Sequence, residues 1–477
     1  MLATDEILAP LTSELPPVER RAAIVDGFAA GATTAGIKAS GRPDLAVIRT
    51  TEDPASAAAV FTTNAFPAAP VLLSRTNLAA SLRSGHGATD LPGGIRPGSP
   101  DDPDSGRYGY AEAVISTSGS ANAATGLDGL TDQVAIAQAV AFRFGTDPLR
   151  VLCLSTGLIG TRLPVPKVIE GLDRLAEVGI GSSDAGLEAA AIALQTTDSV
   201  LKTATTTVAL PTTAGRTRSV RVSGIAKGVG MIHPRMATML SVILTDAAIE
   251  PLALSRLLRP VVARTWNQLS VDGDTSTNDT VLVLASGAAG SEPVAEGTPA
   301  AAALQGAIEA VARDLARQQA ADGEGATSLL TCQVSGAIDD PDARAVAREV
   351  IASSLVKAAV HGRDPNWGRI AGAAGNARLP DIGLLEMAGM SHQEACARAG
   401  RQARIDPERV RIAIAGHLVF DGPAGGPRAF DREATRAAMT ADEVLIRLDL
   451  GLGDGRGEAF GCDLTEEYVR ENSEYST

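Results

Sequence analysis

The sequence predicts a mixed α/β (α+β) fold of mainly antiparallel sheets and helices, divided into more than one lobe. Three observations carry this. The chain has 477 residues, more than one ordinary hydrophobic core accommodates, so two or three lobes are expected. Short apolar runs bounded by glycine and proline alternate with segments of helical spacing along the whole length. Hydrophobic residues make up 45% and charged residues 21%, the balance of a globular protein.

The elements follow in order. Residues 1–22, with "APLTSELPPVERR", read as a loosely held N-terminal extension. Between 23 and 82, "LAVIRT" and "APVLLS" are expected strands between turns. "SGHGATDLPGGIRPGSPDDPDSGRYG" (84–109) is rich in Gly, Pro and Asp and reads as an exposed loop or insertion. "AEAVISTSGSANAATG" is a strand entering a small-residue turn, "DQVAIAQAVAFRFG" a helix ending in glycine, and "RVLCLSTGLIG" a buried strand delivering another small-residue turn.

The second half keeps the same rhythm. "PLALSRLLRPVVARTW" has an apolar helical face. Thr298-Pro299 and Asp340-Pro341 each pair an N-cap residue with proline at the first helical position. "TVLVLASG", "SLLTCQVSG", "RVRIAIAG" and "EVLIRLDLG" are strands. Ser391 and Glu394 form a capping box, which places an extra helix in the 376–405 region.

Composition narrows the function classes. A net charge of −14 and an aromatic content of 3% argue against nucleic acid and against an acidic membrane surface as partner. The four cysteines, Cys153, Cys332, Cys396 and Cys462, are widely spaced and form no zinc pattern or disulfide framework. The N-terminus lacks a basic-then-apolar signal, and no apolar run is long enough to span a bilayer. A cytoplasmic protein is the expectation.

The chemistry-bearing motifs exclude the commonest solutions. There is no GxSxG elbow, HExxH or P-loop, and the five histidines have no triad or metal spacing. A nucleophile here must be activated by something else. One solution is a threonine that becomes an N-terminus, so that its own α-amine, of pKa about 7.7–8.0 when unperturbed, serves as base. In "KGVGMIHPRMATML" the Ala237–Thr238 junction offers such a threonine, with Gly228 and Gly230 allowing the backbone to bend. On these residues alone, the first residue of an ordinary strand is the plainer reading of Thr238.

That motif does not stand alone. With "STGLIG", "TTD", "DGDTSTNDT", "DGEGAT", "GRDPNWGRI" and the terminal "YVRENSEYST", nearly the whole chain resembles the ornithine acetyltransferases, the bifunctional glutamate N-acetyltransferase/amino-acid acetyltransferases of arginine biosynthesis. The resemblance implies a two-lobed N-terminal-nucleophile-like sandwich, cleaved by itself at Ala237–Thr238 into an α chain (23–237, after the extension) and a β chain (238–477). It makes Thr238 the nucleophile and Thr156 with Gly157 the oxyanion-hole pair. It assigns Lys227, Thr196 or Thr197 (Thr197 the better match), Glu324, Asn472 and Thr477 to substrate binding.

The implied reaction is ping-pong transfer of an acetyl group from N-acetylornithine to glutamate. It needs no metal or organic cofactor; acetyl-CoA would enter only as a co-substrate, if the enzyme also makes N-acetylglutamate from it. The implied assembly is α2β2 or larger. Some segments depart from the family pattern: "TSGSAN" (Thr117 to Asn122), His233, Arg235 and Ser328, together with the insertions at 84–109 and 376–405. They leave two alternatives, a paralogue using another acylated amine and an N-terminal-nucleophile amidohydrolase or aminopeptidase passing the acyl group to water. A third reading, an uncleaved binding protein, applies if the chain stays intact.

Overall fold

Alternation along each strand gives every sheet two faces to bury, and in this chain both faces of two sheets are apolar. A computed structural model describes residues 15–83, 94–211, 216–233 and 239–473. A four-stranded sheet runs in the order Phe28–Thr33, Leu45–Thr50, Ala113–Ser120, Val151–Leu158. A six-stranded sheet runs Tyr108–Ala111, Ala55–Phe61, Thr280–Ala285, Leu240–Thr245, Thr217–Lys227, Lys202–Pro211.

The two sheets pack face to face. Ala46, Ile48, Val114, Leu152 and Leu154 of the smaller sheet share one core with Ala57, Ala59, Ile225, Val242 and Leu282 of the larger. The residues between them face outward onto helices. Leu45, Val47, Ile115 and Cys153 meet the helices Gly126–Phe144 and Val165–Val178. Ala58, Val60, Ile243, Val281 and Val283 meet Pro251–Arg264 and Pro299–Ala321. The result is an αββα sandwich, the N-terminal-nucleophile-like layering expected.

The second lobe is a seven-stranded sheet, ordered Leu269–Ser270, Gly455–Cys462, Leu329–Ala337, Glu443–Asp449, Arg411–Ile414, His417–Asp421, Gly426–Pro427. Its core packs Cys332, Val334, Ile412, Ile446 and Leu448 against the helices Asp340–Ala352, Ser354–His361 and Trp367–Gly375. Phe460 and Cys462 enter the core of the first lobe and join the two. Most pairings are antiparallel, and each sheet carries at least one parallel pair, such as Ala113–Ser120 with Val151–Leu158.

Two local expectations are corrected. "APVLLS" is not a strand but the first turns of the helix Ala69–Arg83. Its buried residues, Val71, Ser74, Leu78 and Leu82 among them, recur at helical spacing well past the apolar run, and Pro70 sits in the first turn where its missing N–H costs nothing. The helix expected to be capped by Asp340 is instead capped one residue earlier, by Asp339, whose side chain accepts from Asp342 N–H. Thr298 and Ser391 cap as expected, accepting from Ala301 and Glu394 N–H. The 376–405 region holds two short helices, Ile382–Met387 and His392–Arg398. Glu19, within the expected extension, bridges to Thr205 through two 2.8 Å backbone hydrogen bonds.

Candidate active site

Strand ends from both sheets of the sandwich converge on one cavity of about 230 Å3. The Val151–Leu158 strand brings Thr156 and Gly157, and the Thr217–Lys227 strand ends in Lys227. Thr196, Thr197, Glu324 and Asn472 complete the wall with Gly230 and the 276–278 loop. None of the four described histidines lines this cavity, in keeping with a chemistry that does not use them.

Lys227 is buried, and its Nζ donates to Thr156 Oγ1 at 3.2 Å. Burial lowers its pKa, an effect opposed by the nearby Asp198 carboxylate. Asp198 is itself fully enclosed. Burial would raise its pKa, yet Lys227 and Lys202 together hold it down at about 2. Its oxygens accept from Lys202 Nζ at 2.7 Å, Gly228 N–H at 2.8 Å and Thr196 N–H at 3.0 Å. Asp198 thus fixes the backbone on two sides of the cavity while opposing the effect of burial on Lys227.

Gly157 cannot be another residue. Its φ is +129°, and a Cβ there would stand 2.3 Å from the carbonyl carbon of Gly119 on the neighbouring strand. This close approach leaves a bare peptide beside the Thr156 hydroxyl. Both residues line the cavity.

At the other end stands Glu324. Its Oε1 accepts from Thr197 Oγ1 at 3.3 Å and its Oε2 from Asn472 Nδ2 at 2.9 Å. Asn472 belongs to the C-terminal helix Glu466–Ser473, whose start is tied by Thr465 Oγ1 donating to Gly325 O at 2.7 Å. Both Thr196 and Thr197 line the cavity, and only Thr197 bonds Glu324 through its side chain. Gly230 lies against this carboxylate: a Cβ would come within 2.1 Å of Glu324 Oε2.

Of the expected site residues, Thr156, Gly157, Thr196, Thr197, Lys227, Glu324 and Asn472 are brought together. Ala237, Thr238 and Thr477 lie outside the described residues. Two further residues were not singled out from sequence. Asn278 is buried, and its Nδ2 donates to Ala121 O at 2.7 Å and Ser155 O at 2.8 Å, bracing the strand that carries Thr156. Asp279 accepts from Met239 N–H at 2.9 Å, immediately after Thr238 in the chain, and burial holds its pKa well above the usual carboxylate range. Both sit in the quoted motif "DGDTSTNDT"; a polar Asn-Asp pair directly before an apolar strand was the available signal.

Of the "TSGSAN" segment, Ala121, which keeps the family pattern, lines the cavity, whereas the departing His233 lines a different one and shares a 3.0 Å hydrogen bond with Ser270 Oγ. Arg235 lies outside the described residues.

Against this geometry, a family model for ArgJ matches residues 29–477. The chain belongs to the ArgJ family. This ArgJ family member is 42% identical over 451 residues to the arginine biosynthesis bifunctional protein ArgJ of Parasynechococcus marenigrum, covering 94% of both chains. It is also 42% identical over 451 residues to that of Thermus thermophilus, covering 94% of this chain and 98% of the relative. A crystal structure of the Bacillus halodurans arginine biosynthesis bifunctional protein ArgJ is 38% identical, covering 50% of this chain and 99% of that one, with a TM-score of 0.43. The protein is accordingly an enzyme of arginine biosynthesis, an acyltransferase. Among the described residues, no helix is long and apolar enough to cross a membrane, and no His/Cys/Asp/Glu group has the arrangement of a metal site.

Proposed function

We propose that the enzyme transfers the acetyl group of N2-acetyl-L-ornithine to L-glutamate through an ester on Thr238. The carrying observation is the opposition, across one cavity, of a buried ammonium beside a hydroxyl (Lys227, Thr156) and a carboxylate held by two amide and hydroxyl donors (Glu324). A dibasic amino acid offers the complementary charges: a carboxylate for Lys227 and a side-chain amine for Glu324.

Maturation comes first. Thr238 Oγ attacks the Ala237 carbonyl and the acyl group moves from nitrogen to oxygen. Water then cleaves that ester, leaving an Ala237 carboxylate and a free Thr238 amine. The α chain (1–237, its folded part from residue 23) and β chain (238–477) stay together as one folded unit and assemble further as α2β2 or larger. In transfer, the amine takes the Oγ proton as the Oγ–carbon bond forms, and Thr156 with Gly157 holds the oxyanion. The same proton passes to the departing ornithine nitrogen as the carbon–nitrogen bond breaks. Glutamate's amine then attacks the acetyl ester and restores Thr238. Thr477 joins Asn472 in substrate binding, as the resemblance implies. No cofactor takes part, and acetyl-CoA is at most a second acetyl donor.

The test is direct. N-acetylglutamate should form from N-acetylornithine plus glutamate and not from either alone. Intact mass should show two fragments, the second beginning at Thr238. A stable single chain with full activity would overturn the Thr238 chemistry, and acetate release without an amine acceptor would assign the enzyme to hydrolysis.

A further inference from the structure

The 376–405 insertion carries a side-chain cluster that the acetyl transfer does not use. Its second helix, His392–Arg398, holds His392 and Cys396 four residues apart, and therefore on one face. Cys396 Sγ stands 3.4 Å from His392 Nε2. The other ring nitrogen, Nδ1, is 2.7 Å from Oε1 of Glu386, on the preceding helix Ile382–Met387. In the sequence none of the three stands out: His392 is one of five histidines without triad spacing, and Cys396 one of four scattered cysteines.

The hydrogen positions follow from the chemistry. A carboxylate only accepts, so Nδ1 carries a proton and donates it to Glu386. In the neutral ring Nε2 is then left with a lone pair, and it accepts from the Cys396 S–H. Nucleophile, base and a third group that orients the base are thus joined, the relation that activates a thiol.

The cluster sits on a firm base. Met387, next to Glu386, packs against the core of the first lobe, and Ala395, next to Cys396, is buried in the core of the second. Arg398 ties the last turn of the helix to Asp339 and Asp342.

Access separates Cys396 from the other thiols. Cys153, Cys332 and Cys462 are buried; burial pushes the Cys153 thiol up to about 12 and raises those of Cys332 and Cys462 as well. Thiols of that kind are inert. Cys396 and His392 are both exposed. Cys396 lines neither the candidate active site nor the cavity beside His233. A surface thiol with its own base is placed to meet small diffusible electrophiles.

We propose that Cys396 is a reactive thiol that exchanges with low-molecular-weight disulfides, with His392 as its base and Glu386 orienting the ring. Sγ attacks one sulfur of the disulfide while His392 Nε2 takes its proton. The new S–S bond forms as the old one breaks, and the departing thiolate recovers the proton from the imidazolium. The products are a mixed disulfide on Cys396 and one small thiol. The small disulfide is itself the oxidant, so no further redox partner is needed.

The probe is 2-hydroxyethyl disulfide, which is small and uncharged. An unassisted thiol of pKa about 8.5 is only about 3% thiolate at pH 7, which leaves room for a gain in rate. Wild-type protein should take up one adduct, mapped to Cys396, at least about tenfold faster than N-acetylcysteine reacts under the same conditions. His392→Gln keeps the bulk of the ring and should fall to the N-acetylcysteine rate. Glu386→Ala should lose a smaller part of the gain, and Cys396→Ser should take up no adduct. These side chains are at the surface, and unchanged melting temperatures would show that the variants keep their fold. A wild-type rate no faster than that of N-acetylcysteine would overturn the proposal. So would an adduct on another cysteine, or equal rates in wild type and His392→Gln. None of these readouts depends on which acyl group the enzyme transfers.

Discussion

The ammonium of Lys227 and the hydroxyl of Thr156 are 3.2 Å apart, with the nitrogen donating. Because an ammonium can only donate, the Thr156 oxygen accepts here, and its own proton is left to point elsewhere. The buried neighbours leave the cavity as the open direction. In the proposed mechanism Lys227 therefore orients Thr156 as a donor, in addition to meeting a substrate carboxylate.

Thr156→Val, which keeps the shape and loses the hydroxyl, should lower turnover by roughly 10²–10³, or about 3–4 kcal/mol. The Michaelis constant for the acetyl donor should change little, because the bond strengthens only as negative charge develops. Thr156→Ser should keep most of the activity. Steady-state kinetics decide, and a rise confined to the Michaelis constant would make Thr156 a binding residue.

Asn278→Ala removes two donors from the buried carbonyls of Ala121 and Ser155. Each orphaned carbonyl costs about 1–3 kcal/mol, so denaturant unfolding should show a loss of about 2–6 kcal/mol overall. Turnover should fall with it, since Ser155 precedes Thr156. Asn278→Asp should not rescue, because an acceptor would then face two acceptors. Unchanged stability would show that the brace is not needed.

Asp198 links stability to pH. Its folded pKa, about 2, lies below the unfolded value of about 3.9. Its contribution is therefore fully present above about pH 4 and is lost as pH falls toward 2, on the order of 2 kcal/mol in all. Asp198→Asn should be less stable at neutral pH and should show a shallower acid transition between about pH 4 and 2. Parallel acid unfolding curves for the two proteins would remove Asp198 from the linkage.

Much of this site was legible in the sequence, and the reasons differ by residue. Thr156, Gly157, Lys227 and Glu324 sit in short motifs whose order along the chain carries the resemblance, and the fold brings them into one cavity. Asn278 and Asp279 were hidden because their work is to hold backbone groups distant in sequence. The Asn-Asp pair before an apolar strand marks them as unusual, but no local pattern names the distant groups they hold. "APVLLS" reads as a strand because its five apolar residues fit either period, and only the later spacing through Leu78 and Leu82 decides for a helix. The cavity beside His233 could not be read at all, since its lining joins residues 233, 263–268, 341–349 and 376–388 through tertiary packing.

The specificity of the enzyme should turn on Glu324. Its carboxylate is held by Thr197 and Asn472, and Gly230 leaves room for it only by lacking a side chain. If Glu324 receives the side-chain amine of ornithine, Glu324→Gln leaves that cation without its counter-charge in a partly enclosed pocket. The kcat/KM for N-acetylornithine should fall by about 10²-fold or more, while an acetylated donor lacking the second amine should be nearly unaffected. Gly230→Ala should produce the same selectivity by a different route, since its Cβ would force the carboxylate aside without changing any charge. Asn472→Ala should give a smaller version, because one of the two bonds that aim Glu324 remains. Competition kinetics between the two donors measure all three variants in one format. Equal losses for both donors would remove Glu324 from recognition of the amine. A wild-type enzyme that ignores N-acetylornithine yet acetylates Thr238 from another donor would point to the altered "TSGSAN" and "MIHPR" segments as the source of a different specificity.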